Sequence, residues 1–295
     1  MNVPETVYGF KRYALHERGM RPRSFRSIMA SVKMLCEWAD TDDLGQLDHG
    51  TVQAFLYWGR EEKAWEARTY RNHWQYLKSY FTWCVAQKWV KTNPVEGIGK
   101  PKLPQRLPRC LTREDAQTVL NQVRWYPWRY QFEGIRNETI LYFLTYTGLR
   151  LQEMLDIELL DLNLAAREVL VREGKGQKDR IVPLHPRLVP ILRNYLAERK
   201  TRHNHSRFLF TGAQSELPMT GKDVRSVCKK LSASTGIYFT PHRLRHTFAR
   251  LMIEADVDLF KIKEIMGHAH IATTQTYVSV STENLKRSMN AAVLL

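Results

Sequence analysis

Six side chains able to neutralise charge or move a proton stand in separated segments of the second half of this chain. Arg150 ends TYTGLR, two residues after the glycine, Lys175 lies within EGKGQKD, His242 and Arg245 belong to PHRLRH, His268 sits in MGHAH, and Tyr277 comes nine residues later. Guanidinium, ammonium, imidazole and phenol are the group types that bind an anionic centre, exchange a proton with it and attack it. Each also has an ordinary reading. An arginine after glycine caps a helix end, a lysine in a turn is solvated, and a lone tyrosine fills core or surface.

Two further readings of the same segments fail on their chemistry. His242 and His246 form an HxxxH pair that could share a helix face, but RLR lies between them, without the glutamate of HExxH and with two arginines that repel a dication. No metal and no cofactor are therefore expected. GKGQK has the glycines of a phosphate-binding turn but not the pattern GxxxxGK[ST], so nucleotide binding is not expected either. His246 and Glu153 are assigned supporting positions behind the arginines, and His270 is placed outside the site.

Charge points to the partner. The 295 residues carry 45 Lys+Arg against 30 Asp+Glu, a formal charge of +15, and a basic surface gains affinity for polyanions by releasing counterions. Before Cys110 there are 18 basic and 11 acidic residues and from there on 27 and 19, so the excess is +7 and +8. Both halves are thus expected to touch nucleic acid. Cys36, Cys84, Cys110 and Cys228 show no disulfide or zinc spacing, which fits a reducing cytoplasm. Neither a signal peptide nor a membrane span is read from the chain.

The elements that must hold these groups follow from periodicity. Before Pro94 the pattern is helical, with capping candidates at Ser24 and Thr51 and a long third helix from Glu66 to about Val90. On it Trp74, Leu77, Phe81 and Val85 form an apolar face. Arg68, Arg71 and Lys78 make a basic stripe beside that face, and Arg21, Arg23, Arg26 and Lys33 add cations on the preceding helix. These seven are the candidate DNA contacts. IGKPKLPQRLPR reads as an extended basic linker.

Three segments result: a helical domain over 1–98, a proline-containing linker over 99–109, and a second domain over 110–295. The second domain opens with Thr112 as N-cap and contains a buried helix ending at Gly148. A β-hairpin of Glu168–Val171 and Arg180–Pro183 follows, and then mainly helix. The fold class is mainly α with a small antiparallel β-hairpin sheet.

Taken together, TGLRLQEM, GKGQKDRIVPL, TPHRLRHTFA and IMGHAHIATTQTYV, in this order, resemble the tyrosine recombinase (phage integrase) family, especially its compact Xer-like members. The likeness covers the second domain and, more loosely, the helical first domain with its linker. It implies a two-domain, C-shaped DNA clamp: a SAM-like core-binding domain over 1–98 and a catalytic domain over 110–295. It also implies that Arg150, Lys175, His242, Arg245 and His268 surround a scissile phosphate, with Tyr277 as nucleophile.

Under that resemblance the residue types acquire roles. Arg150 and Arg245 clamp the non-bridging oxygens, Lys175 protonates the leaving 5′-oxygen, His242 serves as base, and His268 donates a hydrogen bond to the phosphate. The 3′-phosphotyrosine keeps the energy of the broken bond, so rejoining needs neither ATP nor a metal. The implied partner is double-stranded DNA with paired half-sites, bound by a dimer per site and a tetramer in synapse, with a related recombinase as an alternative partner. The tail STENLKRSMNAAVLL places Leu285, Met289, Ala292 and Val293 on one helical face, which packs either on its own domain or, as the resemblance implies is common in this family, on a neighbouring protomer. A type IB topoisomerase and a catalytically silent DNA-binding protein are the rival readings.

Overall fold

The computed structural model describes residues 1–103, 109–172, 179–202 and 204–267. The chain divides into two compact units, Met1–Gln105 and Arg106–Leu295.

The first unit is built from four helices: α1 (Val3–Arg12), running into one wide turn at Tyr13–Glu17, α2 (Pro22–Ala39), α3 (His49–Glu61) and α4 (Ala67–Ala86). The start of α2 differs from the sequence expectation. Arg21 is its N-cap and Pro22 its first residue, a place where proline has no useful N–H to lose, so Ser24 lies inside the helix. In α3 the cap is Asp48, whose carboxylate accepts from the Thr51 N–H at 2.8 Å, while the Thr51 hydroxyl donates to the Gln46 carbonyl. Along α4 the expected face is buried at Trp74, Leu77 and Phe81, with Val85 half-buried. The core is aromatic: Phe10 meets Tyr80 edge-on at 5.3 Å and Trp83 at 5.2 Å.

The second unit wraps its core around α6 (Gln131–Thr147), which follows α5 (Arg113–Trp125). Thr112 caps α5 by accepting from the Asp115 N–H at 3.0 Å. Ile140, Leu141, Phe143 and Leu144 are fully buried and point to several sides of α6, the pattern of a central helix. A short α7 (Leu151–Leu155) and a 3-10 turn lead to a three-stranded antiparallel sheet of β1 (Leu162–Asn163), β2 (Glu168–Val171) and β3 (Arg180–Pro183), in that order. β2 and β3 are the expected hairpin, paired in register from Glu168 with Pro183 to Val171 with Arg180. β1, two residues long, carries no alternation that a sequence reading could detect.

Among the described residues four more helices follow in this unit: α8 (Leu188–Thr201), α9 (Gly221–Thr235), α10 (Pro241–Glu254) and α11 (Leu259–Met266). Where α10 meets α11, Phe248, Ala249, Ile262 and Met266 form a small cluster of their own. Among the described residues no helix is long and apolar enough to cross a membrane.

α6 ends where the site begins. Gly148 is in the left-handed region at φ +63°, and a Cβ there would lie 2.2 Å from Cδ1 of Phe248. Gly148→Ala therefore meets backbone strain and overpacking together. We expect a loss of about 3 kcal/mol, seen as a melting temperature lower by roughly 6–12 °C. An unchanged melting curve would show that the turn can relax at no cost.

Candidate active site

The site is built around one carboxylate. Arg150 is the N-cap of α7, and three residues on, Glu153 turns back to accept the Arg150 N–H at 2.9 Å through Oε2. Its other oxygen accepts from Nη1 of the same arginine at 2.5 Å. Backbone and side chain of Arg150 are thus both held by Glu153. The local reason is helical: at the start of a helix an N3 carboxylate reaches the cap N–H.

Two more guanidiniums converge on Glu153. Arg180, the first residue of β3, donates from Nη2 to Oε2 at 2.8 Å and from Nη1 to Oε1 at 3.5 Å. Arg245, on α10, brings its Nη1 to 4.0 Å from Oε2. Burial of Glu153 pushes its carboxyl pKa upward, but the hydrogen bonds and charge of Arg180 and Arg150 outweigh this and hold it below the usual carboxylate range. Three guanidiniums around one carboxylate leave a local surplus of positive charge suited to an anion.

The same arginines receive the C-terminal end of α11. Nε of Arg180 donates to the Ile265 carbonyl at 3.0 Å, Nη2 of Arg245 to that of Met266 at 2.8 Å, and Nη2 of Arg150 to that of Gly267 at 2.9 Å. The last carbonyls of a helix have no intrahelical donor and carry its negative end, so cations are favoured there. Gly267, in the left-handed region at φ +63°, ends the helix. Nη1 of Arg245 also donates to the Gly148 carbonyl at 2.7 Å, joining the ends of α6 and α11.

Burial separates the two expected clamp residues. The Arg245 side chain is 4% exposed, whereas that of Arg150 is 28% exposed and can meet a ligand more openly. His242, Arg245 and His246 lie at i, i+3 and i+4 on α10, whose cap Thr240 accepts from the Arg243 N–H at 3.2 Å. The two imidazoles meet edge-on, centroids 4.2 Å apart. Burial, reinforced by the charges of His242 and Arg245, lowers the His246 pKa to about 4, so His246 is neutral at neutral pH. Its ring then packs behind the exposed His242 without adding charge.

Of the six expected site residues, Arg150 and Arg245 are brought to one carboxylate, and His242 lies on the same face of α10 as Arg245. Lys175, His268 and Tyr277, with the expected tail helix, lie outside the described residues. Arg180 was missed by sequence reasoning, although a signal existed. Strand alternation puts it on the same side as the buried Val182, and an arginine on the inward side of a strand needs a buried acceptor.

The candidate DNA contacts belong to α2 and α4. Arg21, Arg23, Arg26, Lys33 and Arg68 are exposed, and Arg71 and Lys78 are half-buried. Lys33 has Glu37 at 3.5 Å, an exposed pair of little energetic weight. Lys78 lies 5.1 Å from the centroid of Trp74 and Lys100 lies 5.3 Å from it, while the Trp74 indole N–H donates to the Ile98 carbonyl. Trp74 thereby groups a linker lysine with a helix lysine, an association that periodicity on α4 alone cannot reveal.

Comparison with known proteins agrees with this architecture. Residues 109–284 match the model of the phage integrase family, and residues 10–91 that of the phage integrase N-terminal SAM-like domain. Tyrosine recombinase XerA of Thermococcus onnurineus is 33% identical, with 99% of this chain and 97% of the relative covered. Tyrosine recombinase XerA of Pyrococcus horikoshii is also 33% identical, over 75% of this chain and 72% of its own. Among solved structures, the XerH site-specific recombinase bound to palindromic difH substrate, a post-cleavage complex, superposes with a TM-score of 0.77 at 20% identity, covering 96% of this chain and 84% of that one. With more than half its length in the family match and an arginine-lined centre formed by TGLRLQEM and PHRLRH, the chain belongs to the phage integrase family and is a Xer-like tyrosine recombinase.

Proposed function

We propose that this protein carries out conservative site-specific recombination, cleaving and rejoining double-stranded DNA through a 3′-phosphotyrosine at Tyr277, with strand exchange through a Holliday junction. The observation that carries the reading is the convergence of Arg150 and Arg245 on Glu153 with positive charge in excess, in a chain of this family. A phosphodiester under attack gains charge on its non-bridging oxygens, and guanidinium donors aimed there stabilise it. The Tyr277 oxygen bonds to phosphorus as the bond to the 5′-oxygen breaks. That oxygen takes a proton from Lys175, and His242 accepts the phenol proton. Rejoining runs the same steps backwards with the 5′-hydroxyl of the partner strand.

In this reading 1–98 binds the core site, with Arg21, Arg23, Arg26, Lys33, Arg68, Arg71 and Lys78 on the phosphates, and 110–295 is the catalytic domain. Two protomers occupy each site and four the synapse, in the cytoplasm. Mapping of covalent adducts formed by the purified protein on its native genomic DNA tests the reaction. Joining of strands from two separate duplexes distinguishes recombination from type IB relaxation. Absence of any protein–DNA adduct would favour a catalytically silent DNA-binding protein.

The role of Lys175 has its own chemical test. A 5′-bridging phosphorothiolate leaves as a thiolate and needs no proton, so it is expected to restore cleavage to Lys175→Ala, which is nearly inactive on the ordinary substrate. Equal inactivity on both substrates would move the general acid elsewhere, with Lys178 the nearest alternative.

A further inference from the structure

Arg180 differs from the more exposed Arg150. Its fork spans two elements at once: Nη1 and Nη2 reach the two oxygens of Glu153, Nε reaches the Ile265 carbonyl, and Nη2 lies 3.5 Å from the Met266 carbonyl. Its side chain is 14% exposed, half the value for Arg150. With Nε, Nη1 and Nη2 all engaged by Glu153 and the end of α11, it is well placed to hold its neighbours. Only a planar, forked cation can serve a carboxylate and a helix end together.

Both acceptors lead to the clamp. Glu153 holds the backbone and side chain of Arg150, and the Met266 and Gly267 carbonyls hold Arg245 and Arg150. At Gly267 a Cβ would lie 2.8 Å from Cζ of Arg180, so the guanidinium packs directly against the turn whose carbonyl binds Arg150. Without Arg180, Glu153 keeps Arg150 as its one close ion-pair partner among the described residues, with Arg245 at 4.0 Å, and loses the donor that links it to the end of α11. A shift of the carboxylate or of that helix end would move a guanidinium.

We propose that Arg180 is a positioning residue of the recombination site: through Glu153 and the C-terminal carbonyls of α11 it fixes where Arg150 and Arg245 present their donors, without itself touching the phosphate. The proposal rests on the reading of those two arginines as the phosphate clamp. A competing route exists, because Arg180 also stands five residues after Lys175 at the foot of the hairpin. Its side-chain contacts to Glu153 and α11 favour the first route.

The test compares Arg180→Lys and Arg180→Gln with the wild-type full chain on a nicked suicide duplex taken from the adduct map. Half-site affinity, adduct rate at saturating protein and melting temperature are read together. Affinity is expected to stay within about twofold while the adduct rate falls roughly 100-fold, the scale of a misplacement of about 1 Å. Lysine, a single-point donor, should recover little of it. The loss should be equally large on the 5′-bridging phosphorothiolate, and in combination with Arg150→Ala the two losses should not add.

A wild-type adduct rate in both variants would overturn the proposal. So would restoration by the phosphorothiolate, which would route Arg180 through the hairpin lysine, or strict additivity with Arg150→Ala. If Arg180→Gln does not fold, Arg180→Lys, which keeps the charge, carries the same comparison. A loss explained wholly by the folded fraction of Arg180→Lys would reduce the residue to a structural part and refute the assignment. No adduct from the wild-type protein would strike the recombinase reading itself, and this proposal with it.

Discussion

Tyr277→Phe is expected to bind its half-site with wild-type affinity and to form no covalent adduct on a suicide substrate. In the proposed role, removing one oxygen deletes the nucleophile and leaves every phosphate-binding cation in place, so half-site binding is kept while the new P–O bond cannot form. Loss of a nucleophile from a preorganised site costs on the order of 10⁴-fold or more. The remaining cations cannot compensate, because they stabilise a transition state that now has no attacking atom within it. An electrophoretic shift of normal strength combined with an empty adduct band is the expected pair of results. An adduct of ordinary yield would remove Tyr277 from its role and redirect attention to another hydroxyl.

Arg150→Ala and Arg245→Ala should both lose catalysis far more than affinity, by roughly 3 kcal/mol or more for a preorganised donor, which is about 100-fold or more in rate. The geometry adds a distinction between them. Arg245 is buried and donates to the Gly148 and Met266 carbonyls, so its removal leaves buried acceptors unpaired, at about 2 kcal/mol of stability. Arg150 is more exposed, and Glu153 retains Arg180 when Arg150 is lost, so Arg150→Ala should melt close to wild type. Lysine at either place should rescue poorly, since it cannot reproduce two directed bonds. Cleavage at the wild-type rate in both alanine variants would refute the clamp.

Much of this arrangement was legible before any coordinates. The helix ending at Gly148, the Thr112 cap and the pairing of Glu168–Val171 with Arg180–Pro183 follow from glycine, threonine and strand chemistry at fixed offsets. Arg150 and Arg245 stand out through their motifs, and both are found at a common carboxylate, with Arg180 as a third. What was hidden depends on long-range contact. Nothing local connects Arg180 to Ile265, 85 residues away, or Lys100 to Trp74, and no periodicity announces a two-residue strand. At the start of α3 two polar residues compete for the cap: Asp48 accepts the Thr51 N–H, while the Thr51 hydroxyl donates to the Gln46 carbonyl.

The end of α11 is recognised through its carbonyls, and this sets what inheritance can alter there without loss. Arg180, Arg245 and Arg150 read main-chain oxygens at 265, 266 and 267, which every amino acid possesses. Side chains at Ile265 and Met266 can therefore drift among relatives as far as the neighbouring apolar cluster allows, while the arginines continue to find the same three acceptors. Gly267 lacks that latitude, being held by its positive φ and by the guanidinium pressed against it. Met266, fully buried in that cluster, is confined to apolar replacements of similar size, so at this helix end backbone shape and volume are fixed while side-chain identity is not.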